Sequence, residues 1–118
     1  MNVGATQTNP AQAKWTVLLY SAADNNLTRF MVDDIKECET VGSDSFTKVV
    51  CQVDQGDDIG AARYLLEKAE TPNPDGISSP KLEDMGQIDM ANPDTLANFI
   101  TWGMNQYPAE HTMLIISD

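Results

Sequence analysis

Three aspartates stand where apolar, β-branched runs give way to polar residues: Asp24 after WTVLLYSA, Asp54 after TKVVCQV and Asp118 after TMLIIS. Carboxylates gathered at one edge of a sheet can hold a divalent cation, bind a basic side chain or orient a catalytic partner. Functional sites in open α/β sheets lie at the carboxyl ends of the strands, where these residues fall. Asn25, beside Asp24, shares that position. The plainer account is that aspartate is common wherever strands enter loops, and that Asp24 only caps a helix. The other reactive side chains are badly placed for chemistry. His111, the one histidine, sits in the PAEH turn at the amino end of its strand, the opposite edge of the sheet, and reads as a surface residue. Cys38 falls within a predicted helix and Cys51 within a predicted strand. Neither has a histidine to activate it, and their apolar neighbours make both packed thiols, with a disulfide left open.

The elements that would position these residues follow from hydrophobic period. Trp15 to Ala22 is a continuous apolar run, the pattern of a strand covered on both faces. Asp24, Asn25 or Asn26 can cap the helix that follows. Its apolar stripe is Leu27, Phe30, Met31, Ile35 and Cys38, with Arg29, Asp33, Lys36, Glu37 and Glu39 opposite and Gly42 as its stop. Thr47 to Asp54 forms a second strand. AARYLLEKAE, Ala61 to Glu70, has helical propensity, and TPNPDGISSPKLEDMG after it is too rich in Pro, Gly and Ser to stay regular. ANPDTLANFITWGMNQYP is a second helix capped by Asn92 or Asp94, with Leu96, Phe99, Ile100, Met104 and Tyr107 as its buried stripe and Pro108 closing it. TMLIISD is the third strand. This alternation predicts an α/β fold with parallel strands and right-handed crossovers, and three strands with two helices are few for such a sheet.

The chain has 118 residues, 42% of them hydrophobic, which suits one small domain. Its net charge of −11 and its lack of a Lys/Arg cluster exclude a nucleic-acid footprint and disfavour anionic membranes. A basic peptide or a cation would be drawn to it, although acidity also serves solubility alone. No run approaches the ~20 apolar residues of a membrane span. Residues 1–13, MNVGATQTNPAQA, read as a flexible leader or as what a removed signal left behind, with the domain over 14–118. The turn AADNN offers no glycine-rich phosphate loop.

Together KWTVLLYSAADNNL, ECETVGS, KVVCQVDQG, ARYLLEK, ANPDTLANFITWGMNQYPAEH and LIISD resemble, in order and spacing, the start of the clostripain-like cysteine peptidases of the caspase and gingipain clan. The resemblance implies a caspase-like α/β/α sandwich of which this chain supplies the first three parallel core strands, two helices and a β-hairpin excursion near residues 61–90. It implies that the first strand lies between the second and the third. Asp118 matches the Asp of an Asp-His-Gly motif, so the catalytic histidine would be the next residue, and the nucleophilic cysteine would follow a further strand. The dyad is then absent from these residues, and the active-site edge would carry Asp24, Asn25, Asp54 and Asp118. The implied substrates are peptides cleaved after Arg or Lys. The implied setting is a secreted, cell-surface or periplasmic bacterial protein, with the remaining half of the peptidase domain as partner. No cofactor is expected, although calcium dependence is typical of the family. The alternatives are a non-catalytic binding module of the same fold and a receiver-like domain in which Asp24, Asp54 and Asp118 hold Mg²⁺. The third strand would need cover from the other half, from a second copy or from the excursion.

Overall fold

The structure, a computed structural model, describes residues 12–22, 28–56, 59–71, 73 and 76–117. Strands β1 (Ala13–Ala22), β2 (Thr47–Asp54), β3 (Ala61–Leu65), β4 (Lys81–Gly86) and β5 (Ala109–Ser117) make one sheet, joined by helices α1 (Thr28–Cys38) and α2 (Pro93–Gln106). The sheet order is β4-β3-β2-β1-β5. β1 runs parallel to both neighbours, with Leu18 opposite Val50 on one side and Leu114 on the other. The expected order, first strand between second and third, is the observed one. Asp24, Asn25 and Asn26 as candidate caps, the stripe position Leu27, Asp118 and most of the leader lie outside the described residues.

The even-numbered residues of β1 face α2. Leu18, Tyr20 and Val50 pack there with Met90 and Phe99, all buried. α2 begins as its sequence predicts: Asn92 is the cap, its side-chain oxygen accepts the Asp94 amide at 2.9 Å, and Pro93 occupies the first turn. The stripe needs one correction, because Met104 is exposed while Phe99 and Gly103 are buried. A Cβ on Gly103 would lie 2.5 Å from Cδ2 of Leu18, so the helix approaches the sheet at that glycine and turns Met104 outward. Trp102 is held on the other flank, 6.2 Å from the Phe99 ring and 4.6 Å from the Arg63 guanidinium.

α1 covers the opposite face. Met31 and Ile35 pack with Cys51 and Val53 of β2 and with Ala62, Tyr64 and Leu66 beyond. The stretch AARYL is strand rather than helix, antiparallel to β2, and pairs in turn with β4 as the expected hairpin. Tertiary pairing overrides propensity here, because Arg63 donates from Nε to Gln52 Oε1 at 2.7 Å and the alternate residues Ala62 and Tyr64 bury under α1.

A second correction concerns Glu39, which the helical pattern puts on the solvent face. It is 1% exposed. α1 ends at Cys38, and the chain turns so that the Glu39 carboxylate accepts the amides of Ser78 at 3.1 Å and Ser79 at 2.7 Å, together with the Ser79 hydroxyl. Its own carbonyl accepts the Ala69 amide at 2.7 Å. Gly42 follows at φ +70°, where an added Cβ would strike the backbone of Lys68. One short segment after α1 thus fixes both arms of the hairpin's long connection.

β5 begins at Ala109, three residues earlier than expected, so His111 lies in the strand. It is nevertheless exposed and at the strand's amino end, with its ring 4.8 Å from that of Trp15. β5 is the sheet's outer strand, and the hairpin extends the other edge, leaving Met113, Leu114, Ile115 and Ile116 at 38% to 57% exposure. The excursion does not cover it.

Two outcomes are expected. Glu39→Ala leaves the Ser78 and Ser79 amides without an acceptor and should lower stability by about 1–3 kcal/mol in urea unfolding, and Glu39→Gln should lose less. At raised concentration the chain should associate through β5, and Ile116→Lys should return it to monomer by sedimentation velocity.

Candidate active-site edge

The carboxyl ends of the three parallel strands meet at one edge. Ser21 is level with Val53 on one side and Ser117 on the other, and Ala22 is level with Asp54. Of the four candidates read from the sequence, Asp54 alone falls among the described residues. It is 6% exposed and points to the α2 face of the sheet, like Gln52 before it. Its Oδ1 accepts the Gly56 amide at 3.0 Å, the side-chain-to-backbone link of an Asx turn in the Asp-Gln-Gly corner.

Residues not singled out by sequence share this edge. The Tyr20 hydroxyl donates to the Met90 carbonyl at 2.8 Å. Burial raises its pKa first, and the carboxylates of Asp89 and Asp54 add to the shift, so the phenol stays protonated and donates. Behind it Gln52 links Arg63 to the Met90 sulfur, at 2.7 Å and 3.3 Å. Burial lowers the Arg63 pKa, with Glu83 acting against that shift from 3.4 Å. The sequence signal available for this network was slight: a Gln and an Arg at alternating positions inside apolar strands. Ser21 is buried on the α1 face, and its hydroxyl has no hydrogen-bond partner among the described residues.

The thiols are unsuited to attack. Burial pushes the Cys51 thiol far up, and Cys38 is raised by burial and then by Asp34, Glu37 and Glu39. Both are free cysteines. His111 is six strand residues from Ser117, on the order of 20 Å from the carboxyl edge. Among the described residues no three His, Cys, Asp or Glu side chains come together in a way that could hold a metal ion.

The sequence pattern of the clostripain family, peptidase C11, matches residues 19–118. The chain belongs to that family. Solved structures agree on the fold. A cysteine protease of B. fragilis superposes with a TM-score of 0.71 at 21% identity, covering 89% of this chain and 87% of its own. A clostripain from Bacteroides thetaiotaomicron, in complex with the peptide inhibitor BTN-VLTK-AOMK, gives 0.71 at 13% identity and covers 90% of each chain. A secreted C11 cysteine protease from the same organism, bound to an irreversible peptide inhibitor, gives 0.69 at 22% identity, with 90% of this chain matched to 29% of that one. Among curated proteins there is no match. The clostripain fold accounts for the parallel β2-β1-β5 core and for the hairpin extending it. Among the described residues no helix is long and apolar enough to cross a membrane.

The Asx turn sets an expectation for Asp54. Asp54→Asn keeps the side-chain acceptor and should leave stability within about 0.5 kcal/mol, whereas Asp54→Ala should lose about 1 kcal/mol in chemical denaturation.

Proposed function

We propose that this chain is the N-terminal part of a clostripain-type cysteine endopeptidase, and that the histidine and cysteine of its dyad are carried by polypeptide beyond these 118 residues. The observation that supports this best is the strand order, in which β5 lies beside β1 with its far edge unpaired. A histidine directly after Asp118 would then stand at the carboxyl end of β5. A cysteine at the end of a strand added to that edge would stand next to it.

In this reading a thiolate attacks the scissile carbonyl, the carbonyl oxygen takes the negative charge, and backbone amides stabilise it. The histidine accepts the thiol proton and delivers it to the leaving amine, and water then releases the acyl group. The part of these 118 residues is to place the histidine segment through β1 and to supply acid groups at the edge. Asp24, Asn25, Asp54 and Asp118 are the candidates for orienting the dyad or meeting a basic substrate side chain, with Asp54 already bonded through one oxygen to Gly56. Cleavage after Arg or Lys is supported by the net charge of −11, which favours basic substrates, and by the lysine in the VLTK inhibitor bound to the B. thetaiotaomicron relative. Export from the cell is supported by the secreted relative. No described set of side chains fits calcium, and no step here depends on it.

The chain alone should show no turnover of Arg- or Lys-containing peptides, while the complete protein should cleave them and prefer them over neutral ones. Mutating His111 should change neither result. A specific rate from the chain alone that vanishes in His111→Ala would overturn the assignment. A complete protein that binds such peptides without cleaving them would favour the non-catalytic module.

A further inference from the structure

The α1 face of the sheet is not fully covered. α1 lies over β2 and β3, and beside it runs an apolar trough along β1 and β5. Two cavities occupy the trough. One, of about 220 Å³, is lined by Leu19, Ser21, Met31, Asp34, Ile115 and Ser117. The other, of about 350 Å³, is lined by Val17, Leu19, Cys38, Val41, Val49 and Ile115. Leu19, Cys38 and Ile115 border both, so the cavities form one continuous depression. At its carboxyl end is Ser21, 5% exposed, whose hydroxyl is the single buried side-chain polar atom without a partner among the described residues. Such a group costs free energy until something bonds to it.

We propose that this trough is the seat of an amphipathic helix from the polypeptide that completes the sheet, and that the Ser21 hydroxyl is its polar latch. The inference rests on the reading that the chain is one part of a peptidase domain, and adds a second contact beyond strand pairing at β5. Its dimensions suit a helix. Packed helices lie about 8–10 Å apart. That is about two strand spacings, so a neighbour of α1 falls over β1 and β5, along the trough. One relative, the secreted C11 protease, carries more chain than this unit, which matches only 29% of it. The chemistry of the occupant follows from the lining. Its buried stripe is apolar against Val17, Leu19 and Ile115. One polar side chain reaches Ser21, and a Lys or Arg at its flank faces Asp34 at the rim.

The two cysteines make a native probe. N-ethylmaleimide, with peptide mapping by mass spectrometry, should modify Cys38 in the dilute monomeric chain and spare the fully buried Cys51 until unfolding. In the complete protein, modification of Cys38 should slow by at least roughly tenfold, because the seated helix must leave first. Ser21→Ala should leave the melting temperature of the chain alone unchanged or raised, yet lower that of the complete protein by roughly 2–4 °C. Cys38 reacting as fast in the complete protein would overturn the proposal, as would a Ser21→Ala effect of the same sign in both. Protection of Cys38 in the chain alone, growing with concentration, would assign the trough to a second copy instead. Failure here is separable from failure of the peptidase reading. An active complete protein with an open trough refutes only the helix, and an inactive one with a protected Cys38 refutes only the activity.

Discussion

The parallel pairing of β1 with both β2 and β5 is the constraint on which the rest of the structure depends. Ladders on both sides leave β1 no free backbone groups along most of its length, and a strand so placed must be apolar on both faces. The register then decides the rest. A slip of one residue would turn Leu18 and Tyr20 away from Phe99 and put Leu19 and Ser21 under α2. With the observed register, Ser21, Val53 and Ser117 arrive level with one another at one edge. Gly103 works to the same end, since it lets α2 come down on Leu18 and lock the face of β1 that carries Tyr20.

The second organising element is a buried acid used as a fastener. Glu39 lies just past the C-terminus of α1, where the helix dipole disfavours a negative charge. Three donors from the Ser78-Ser79 corner compensate for that, as do the surrounding bonds of Ala69 to the Glu39 carbonyl and of Glu67 to the Ser79 hydroxyl. The hairpin could not rely on apolar burial for this, because β4 is almost wholly exposed and carries Lys81, Glu83 and Asp84. Charges on that strand also guard the sheet's far edge against unwanted pairing. The two edges therefore differ in kind: β4 is charged, whereas Thr112 to Ser117 of β5 bear no charge.

That contrast bears on what could be read from the sequence. The order of elements was legible because the strands and helices carry clean apolar periods, and the motifs that resemble the clostripain family span them in order. Asn92 capping α2 and Gly42 closing the turn after α1 were legible from local chemistry alone. Glu39 was not, since its environment is made by residues forty positions away. Nor was the start of β5, because the ladder with β1 recruits Ala109 to His111 into a strand that their propensities do not demand. Met104 was misplaced by the ideal stripe because the Gly103 approach and the Arg63–Trp102 stack set the roll of α2. Of the candidate site, the edge was legible but the roles of its residues were not. Asp54 serves a turn, while Tyr20 and Ser21, read only as strand residues, bring a protonated phenol and an unpaired hydroxyl to that edge.

The same reasoning bears on why an otherwise well-packed sheet keeps one poorly covered strand. Every apolar residue from Met113 to Ile116 is at least 38% exposed, although each stands level with a β1 residue that is buried or half-buried. An edge strand that ended a domain would be shortened, charged or bulged to discourage partners. Thr112 to Ser117 of β5 have none of these features, and β4 shows that this fold can provide them. The difference marks β5, rather than β4, as the edge suited to taking a partner. An apolar strand with two open faces specifies a partner that brings another strand for the edge and a layer of side chains for each face. In the reading proposed above, that demand would couple formation of the sheet to assembly of the catalytic pair. Substrate chemistry would then be confined to molecules whose cores are complete.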